Sequence, residues 1–225
     1  MLLLFDIDGT LLLKAAAEHK AALYEGLRVA HGRTFTAIPV ETAGRTDPAI
    51  ARSILVNAGV DAATIDRRRG LWADATCEAY ARACPRDLTD KVAPGVPEAL
   101  AALRGAGHTC SLVTGNLEPI ARLKLMRAGL GGCFPRGQGG FGSDHEDRAV
   151  LPEVARRRAA QPAASLATAA GSSPAWRTTM SASRSAASPN GPVAIAIART
   201  PSARAQAMSS GVSPMTTVSR RAWAW

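Results

Sequence analysis

The sequence predicts an α/β fold built on a parallel sheet, with a helical block inserted early and a C-terminal third of different character. Three observations carry this. Leu2-Leu3-Leu4-Phe5 is a short apolar run without a polar partner face, as in a strand covered on both sides of a parallel sheet. A second such run, Thr109 to Val113, sits between two helical stretches, which is the order a parallel sheet imposes. Residues 14 to 85 read as helices with no strand among them, so they form an insertion rather than part of the sheet.

Each element has a local cause. The first strand ends in Asp6-Ile7-Asp8-Gly9-Thr10, where Gly9 permits a tight turn. A helix is predicted from Lys14 to Ala30, stopped by Gly32. Thr46-Asp47-Pro48 starts the next, with a capping side chain ahead of a proline in the first turn, and Gly59 ends it after Ala58. Asp61 caps a third helix that runs to Ala83, where Cys84-Pro85 closes it. After Pro94-Gly95 come a helix over Val96 to Arg104, the strand Thr109 to Val113, its end at Thr114-Gly115-Asn116, and a helix over Glu118 to Ala128. Gly131-Gly132 and Gly137 to Gly142 lack the pattern of a nucleotide loop and read as turns. Residues 1–13 and 90–158 thus form an α/β core, 14–89 a helical cap, and 159–225 a low-complexity basic tail.

The charge distribution marks where the fold should stop. The chain carries 27 Lys and Arg against 18 Asp and Glu, yet residues 1–153 are balanced at 18 of each. The whole net charge of +9 lies in residues 154–225, which hold nine Arg and no Lys, Asp or Glu. Ala, Ser and Arg fill 41 of those 72 positions, and Phe and Tyr are absent. Little bulky apolar material is left to offset the entropy of ordering, so most of the tail is expected to be disordered. A nucleic-acid-binding tail, a solvated extension and out-of-frame translation of a GC-rich gene all compete to explain it. The scattered Arg without aromatic interleaving argue against nucleic acid as a partner, and the out-of-frame reading accounts best for the mixture.

Other classes fall away quickly. No apolar run approaches the roughly 18 residues of a membrane span, and Met1 to Phe5 lacks the basic start of a signal peptide. A cytoplasmic protein is expected. Cys77, Cys84, Cys110 and Cys133 form no C-x-x-C pair and read as buried free thiols. His19, His31, His108 and His145 show no metal-binding spacing.

In open parallel sheets, ligands bind beyond the carboxyl ends of the strands. Two polar clusters lie there: Asp6, Asp8 and Thr10 after the first strand, and Thr114, Gly115 and Asn116 after the second. Asp6 and Asp8 are two residues apart, so near-extended backbone points both carboxylates the same way. Such a pair repels itself, and a divalent cation is the usual means of keeping both ionised. Hard oxygen ligands at a phosphate site suggest Mg²⁺, with one carboxylate attacking phosphorus and the other exchanging a proton with the leaving oxygen. A D-x-D that merely ends a strand and caps the next segment has the same sequence.

Leu-Leu-Phe-Asp-Ile-Asp-Gly-Thr-Leu (3–11) resembles the first signature of the haloacid dehalogenase (HAD) superfamily, most of whose members are phosphatases. The resemblance implies a Rossmann-like parallel core with an inserted cap, as in the phosphoglycolate phosphatase-like branch. It implies Asp6 as the nucleophile, Asp8 as the general acid/base, and Mg²⁺ bound by Asp6 and the Asp8 carbonyl. Thr10 lies in the same phosphate-facing loop. Ser111-Leu112-Val113-Thr114-Gly115-Asn116 fits the second signature, with Thr114 and the Gly115 and Asn116 amides on the transferring phosphoryl group. The third signature is a Lys some thirty residues later. Arg148 lies at the right distance and Lys124 is the last Lys in the chain, so either can fill that role. Arg45, in Gly44-Arg45-Thr46-Asp47, is suited to an anionic substrate group reached from the cap; a solvated Arg at a helix start is the plain alternative.

The fourth signature, an apolar strand followed by acids, is missing. Its nearest echo is Val193 to Ala198, followed by Arg199-Thr200-Pro201-Ser202, with no carboxylate. The expected activity is therefore Mg²⁺-dependent hydrolysis of a small phosphorylated metabolite, impaired in this chain, by a monomer or homodimer. A phosphomutase of the same superfamily and a non-catalytic remnant with a basic tail remain as alternatives. The presence of Asp8 disfavours a dehalogenase.

Overall fold

The computed structural model describes residues 1–36 and 40–161 together with the backbone of residues 193–196. Four strands form one parallel sheet in the order β3-β2-β1-β4. Strand β1 (Leu2–Phe5) pairs with β2 (Thr109–Thr114), Leu2 facing Thr109 and Phe5 facing Leu112. Leu3, Leu4, Cys110, Ser111 and Leu112 are all buried, the burial on both faces that the unbroken apolar runs foretell. The sheet is thus the parallel α/β core the sequence calls for.

Helices α1 (Ala17–His31), α2 (Asp47–Asn57) and α3 (Ala62–Ala83) follow β1, and α4 (Val96–Gly105) and α5 (Glu118–Arg127) flank β2. The first helix begins at Ala17 rather than Lys14, because Lys14 has a φ of 56°, outside any right-handed helix. Thr46 caps α2 by accepting a bond from the Ala49 amide, and Asp61 caps α3 through Thr64. Two elements depart from the sequence reading. Gly140–Phe141, read as part of a turn, forms strand β3 beside Val113 and Thr114. Glycine is required at 140, since a Cβ there would lie 2.2 Å from the Leu151 carbonyl oxygen. Leu151–Ala159, assigned no element from sequence, is helix α6, whose Leu151 and Ala155 are buried beside Leu4 and Val113.

The fourth strand, β4 (Val193–Ala196), lies in the basic tail and pairs with β1, Leu2 facing Val193 and Phe5 facing Ala196. The tail expected to be disordered therefore contributes at least one strand; that expectation for residues 162–192 and 197–225 lies outside the described residues.

Helices α1 to α3 and the sheet share one hydrophobic interior. Leu27 of α1, Ile54 of α2 and Trp72 and Tyr80 of α3 belong to the same buried cluster as Ile7, Leu112, Ile120 and Phe141. At about 1.5–3 kcal/mol for each large apolar side chain fully buried, this cluster is the main force holding the helical block on the sheet. Among the described residues no helix is long and apolar enough to cross a membrane.

Candidate functional site

Beyond β1 the chain curls around one carbonyl. The amides of Thr10, Leu11 and Leu12 all donate to the Ile7 oxygen, and Gly9, at φ 79°, donates to Leu12. Such a φ strains any residue with a Cβ, so the Gly of D-x-D-G is required by the turn. The curl leaves Asp6 and Asp8 partly exposed at the carboxyl end of the sheet, with side chains 26% and 35% accessible.

Each carboxylate has a cation of its own. Arg148 donates to Asp6 Oδ2, while Asp6 Oδ1 accepts from the Ile7 amide at 2.8 Å. Lys124 Nζ lies 2.8 Å from both oxygens of Asp8 and 3.1 Å from Asn116 Oδ1. Asn116 Nδ2 reaches Asp8 Oδ2 and Thr114 Oγ1, each at 2.8 Å, so a single amide ties the first polar cluster to the second. Burial alone raises the Asp8 carboxyl, but the Lys124 charge and the bonds from Lys124 and Asn116 outweigh it and hold the group below its ordinary range.

Lys124 is completely buried, although it sits on a helix whose outer face is polar. It is held by two residues the sequence reading did not assign to the site. His19 Nδ1 lies 3.2 Å from Lys124 Nζ, and His19 Nε2 lies 3.0 Å from Asp47 Oδ2. An ammonium only donates, so Nδ1 accepts and the Nε2 hydrogen goes to Asp47. The signal that could have found His19 is its place on the apolar stripe of α1, with Ala22 and Leu23 three and four residues on, all buried. Asp47 belongs to the helix start Gly44-Arg45-Thr46-Asp47 that was expected to reach toward substrate, with Arg45 as the contact. Thr46 takes the capping role, which leaves the Asp47 carboxylate free to accept from His19 and from the Leu117 amide at 2.8 Å.

The same cap segment lies directly on the second polar cluster. The Asp47 amide donates to the Gly115 carbonyl at 2.8 Å, and Thr46 Oγ1 donates to the Glu146 carbonyl at 2.6 Å. A Cβ on Gly115 would stand 2.1 Å from the Arg45 carbonyl oxygen, so no other residue fits without moving the cap. Thr114, Gly115 and Asn116 are buried beneath it, whereas Asp6, Asp8 and Arg148 are reachable and Thr10 is partly exposed. The Arg45 side chain, just ahead of the α2 cap, donates to the Ala49 carbonyl in the first turn of α2 at 3.1 Å.

The choice between Arg148 and Lys124 resolves into two partnerships, Arg148 on Asp6 and Lys124 on Asp8. The thiols take no part: burial pushes Cys77 up to about 12 and also raises Cys110.

The donor set for the Mg²⁺ that the resemblance implies is incomplete. All four oxygens of Asp6 and Asp8 already accept bonds within the chain. Nearby carboxylates are committed elsewhere, Asp144 to Arg158 and Glu146 to Arg52. Among the described residues no three His, Cys, Asp or Glu side chains cluster to hold a metal. The strand beside β1 is β4, and the residues after it, Ile197-Ala198-Arg199-Thr200, include no acid. The residues present do not fit Mg²⁺.

Comparison with known proteins places these features in a family. No curated protein matches the chain. The crystal structure of a predicted phosphoglycolate phosphatase from Haemophilus somnus 129PT is similar at 17% identity and a TM-score of 0.38, covering 59% of this chain and 59% of that one. The model of the HAD family, haloacid dehalogenase-like hydrolase, matches residues 3–175, well over half of the sequence, and the chain belongs to that family.

Proposed function

We propose that the chain is a phosphomonoester hydrolase of this family with impaired turnover, acting on a small phosphorylated metabolite. The observation that carries the reading is the Asn116 amide that joins Asp8 to Thr114, together with Arg148 on Asp6, because these bonds gather the candidate residues of three signatures at the carboxyl end of the sheet. Asp6 retains free lone pairs and attacks phosphorus, forming an aspartyl-phosphate as the bond to the leaving oxygen breaks; the leaving alkoxide takes its proton from solvent water. Arg148 offsets negative charge on the incoming group. Asp8, kept ionised by Lys124, suits the second step, in which it takes a proton from the water that hydrolyses the aspartyl-phosphate. Members of this family generally use Mg²⁺; no step here runs through it, since the donors do not fit.

The impairment follows from lost charge stabilisation. Removing one preorganised electrostatic contact from a transition state costs on the order of 10²–10³ in rate. Turnover of p-nitrophenyl phosphate, whose phenolate leaves without a proton, is the test. Slow hydrolysis, at least about 10²-fold below a family member with the acidic fourth signature and abolished by Asp6→Asn, is expected. Hydrolysis that persists unchanged in Asp6→Asn refutes the assignment.

A further inference from the structure

Two carboxylates two residues apart need compensating charge, and in this fold that charge is commonly sought in a bound divalent cation. The geometry points to Arg148 and Lys124 instead: each aspartate has its own internal cation, and the pair is balanced within the chain without a metal. This concerns how the site is held together, so it stands or falls separately from the hydrolase reading.

Lys124 makes the stronger half. Its ammonium has three hydrogens and four acceptors within 3.2 Å: both oxygens of Asp8, Asn116 Oδ1 and His19 Nδ1. It is fully buried, so it has no water to fall back on, and among the described residues Asp8 is the only carboxylate it contacts. His19 is fixed in turn by Asp47, whose other bond comes from the Leu117 amide. The cation is thus locked in place from the cap side, with its charge spent on Asp8. Arg148 makes the other half, occupying Asp6 Oδ2 from the start of a short 3-10 turn just ahead of α6.

A divalent cation entering this site would displace the Arg148 guanidinium from Asp6 and then share the site with it, like charge beside like charge. Mg²⁺ dehydrates reluctantly and is held by its carboxylates and by substrate oxygens. Here it would find one carboxylate side chain, and no acid follows β4 to add a second. The loss of the acidic fourth signature is thereby matched by a neutralised pair rather than left as bare repulsion.

The test uses the full chain. Thermal unfolding is followed in EDTA, in excess Mg²⁺, and in NaCl of matched ionic strength, and Mn²⁺ binding is read from attenuation of its free electron paramagnetic resonance signal. The midpoint is expected to agree within about 1 °C across the three solutions, and the Mn²⁺ signal is expected to stay unattenuated. In EDTA, Asp8→Asn is expected to lower the midpoint, because it strands the buried Lys124. A saturable Mg²⁺-induced rise of about 5 °C or more that Asp6→Asn removes would overturn the inference. So would strong Mn²⁺ binding by the unaltered chain, or an Asp8→Asn variant more stable than the parent in EDTA, since relief of repulsion would then be the dominant effect.

Discussion

Lys124 illustrates how one side chain can be ambiguous in sequence and decisive in structure. Ten residues past Thr114 on an amphipathic stretch, it resembles a surface lysine, yet it is fully buried against Asp8, Asn116 and His19. Breaking a buried ion pair costs about 3–5 kcal/mol. Asp8 is partly exposed and can be rehydrated, so Lys124→Met is expected to cost about 3 kcal/mol, the low end of that range, in urea denaturation. Arg148→Met is expected to cost under about 1 kcal/mol, because both members of that pair are about a quarter exposed. The depressed Asp8 carboxyl gives a pH signature. Its contribution to stability is complete above the unfolded value of 3.8 and is lost as pH falls through the lower, folded value. Unfolding midpoints between neutral pH and pH 2 are expected to show this acid loss, and Asp8→Asn is expected to lack that part of it. Asp6, Asp8 and Thr114 were legible as polar residues that close the two apolar strands, whereas Arg148 was singled out only through the spacing that the family resemblance implies, beside Lys124. His19 and Asp47 were not legible, because they reach the site only through long-range bonds, His19 to Lys124 and Asp47 to the Leu117 amide, that no local pattern records.

Elements with a side-chain cap or an unbroken apolar run were legible, whereas α6 was missed despite its Pro152 and the four-residue spacing of Leu151 and Ala155. Thr46 and Asp61 mark true helix starts, and the two apolar runs are the two central strands. Strand β3 was hidden because it is two residues long and glycine-rich, and its existence depends on a neighbour, β2, rather than on its own composition. The α1–α3 contact shows a similar dependence. Gly26 lies inside α1, where glycine costs about 1 kcal/mol relative to alanine. It is tolerated because a Cβ there would stand 1.9 Å from Thr76 Oγ1 and 2.9 Å from the Thr76 amide nitrogen on α3. Gly26→Ala should therefore destabilise by about 1–3 kcal/mol despite its better helix propensity. A stability gain in chemical denaturation would show that the helices can part at no cost.

At the scale of the whole molecule, the chain combines a charge-balanced body with an arginine-bearing extension, and the boundary read from composition falls inside α6. Most of the extension was expected to be disordered, because Ala, Ser and Arg offer little to bury, and only Val193 to Ala198 resembled a strand. The Val193–Ala196 backbone completes the ladder on the free side of β1, a role that rests on main-chain hydrogen bonds more than on side-chain bulk. Ala194→Pro is expected to weaken that pairing and lower the hydrogen-exchange protection of the β1 amides. Unchanged protection would place the stability of β1 in its β2 pairing alone. The pairing also has a cost in time. Strand β1 is flanked on one side by a segment that follows it by nearly two hundred residues, so closing the ladder is among the longest-range events in folding. Until then a hydrophobic strand carries an open row of amides and carbonyls beside a nascent chain, which makes the interval during translation the protein's window of greatest exposure to aggregation.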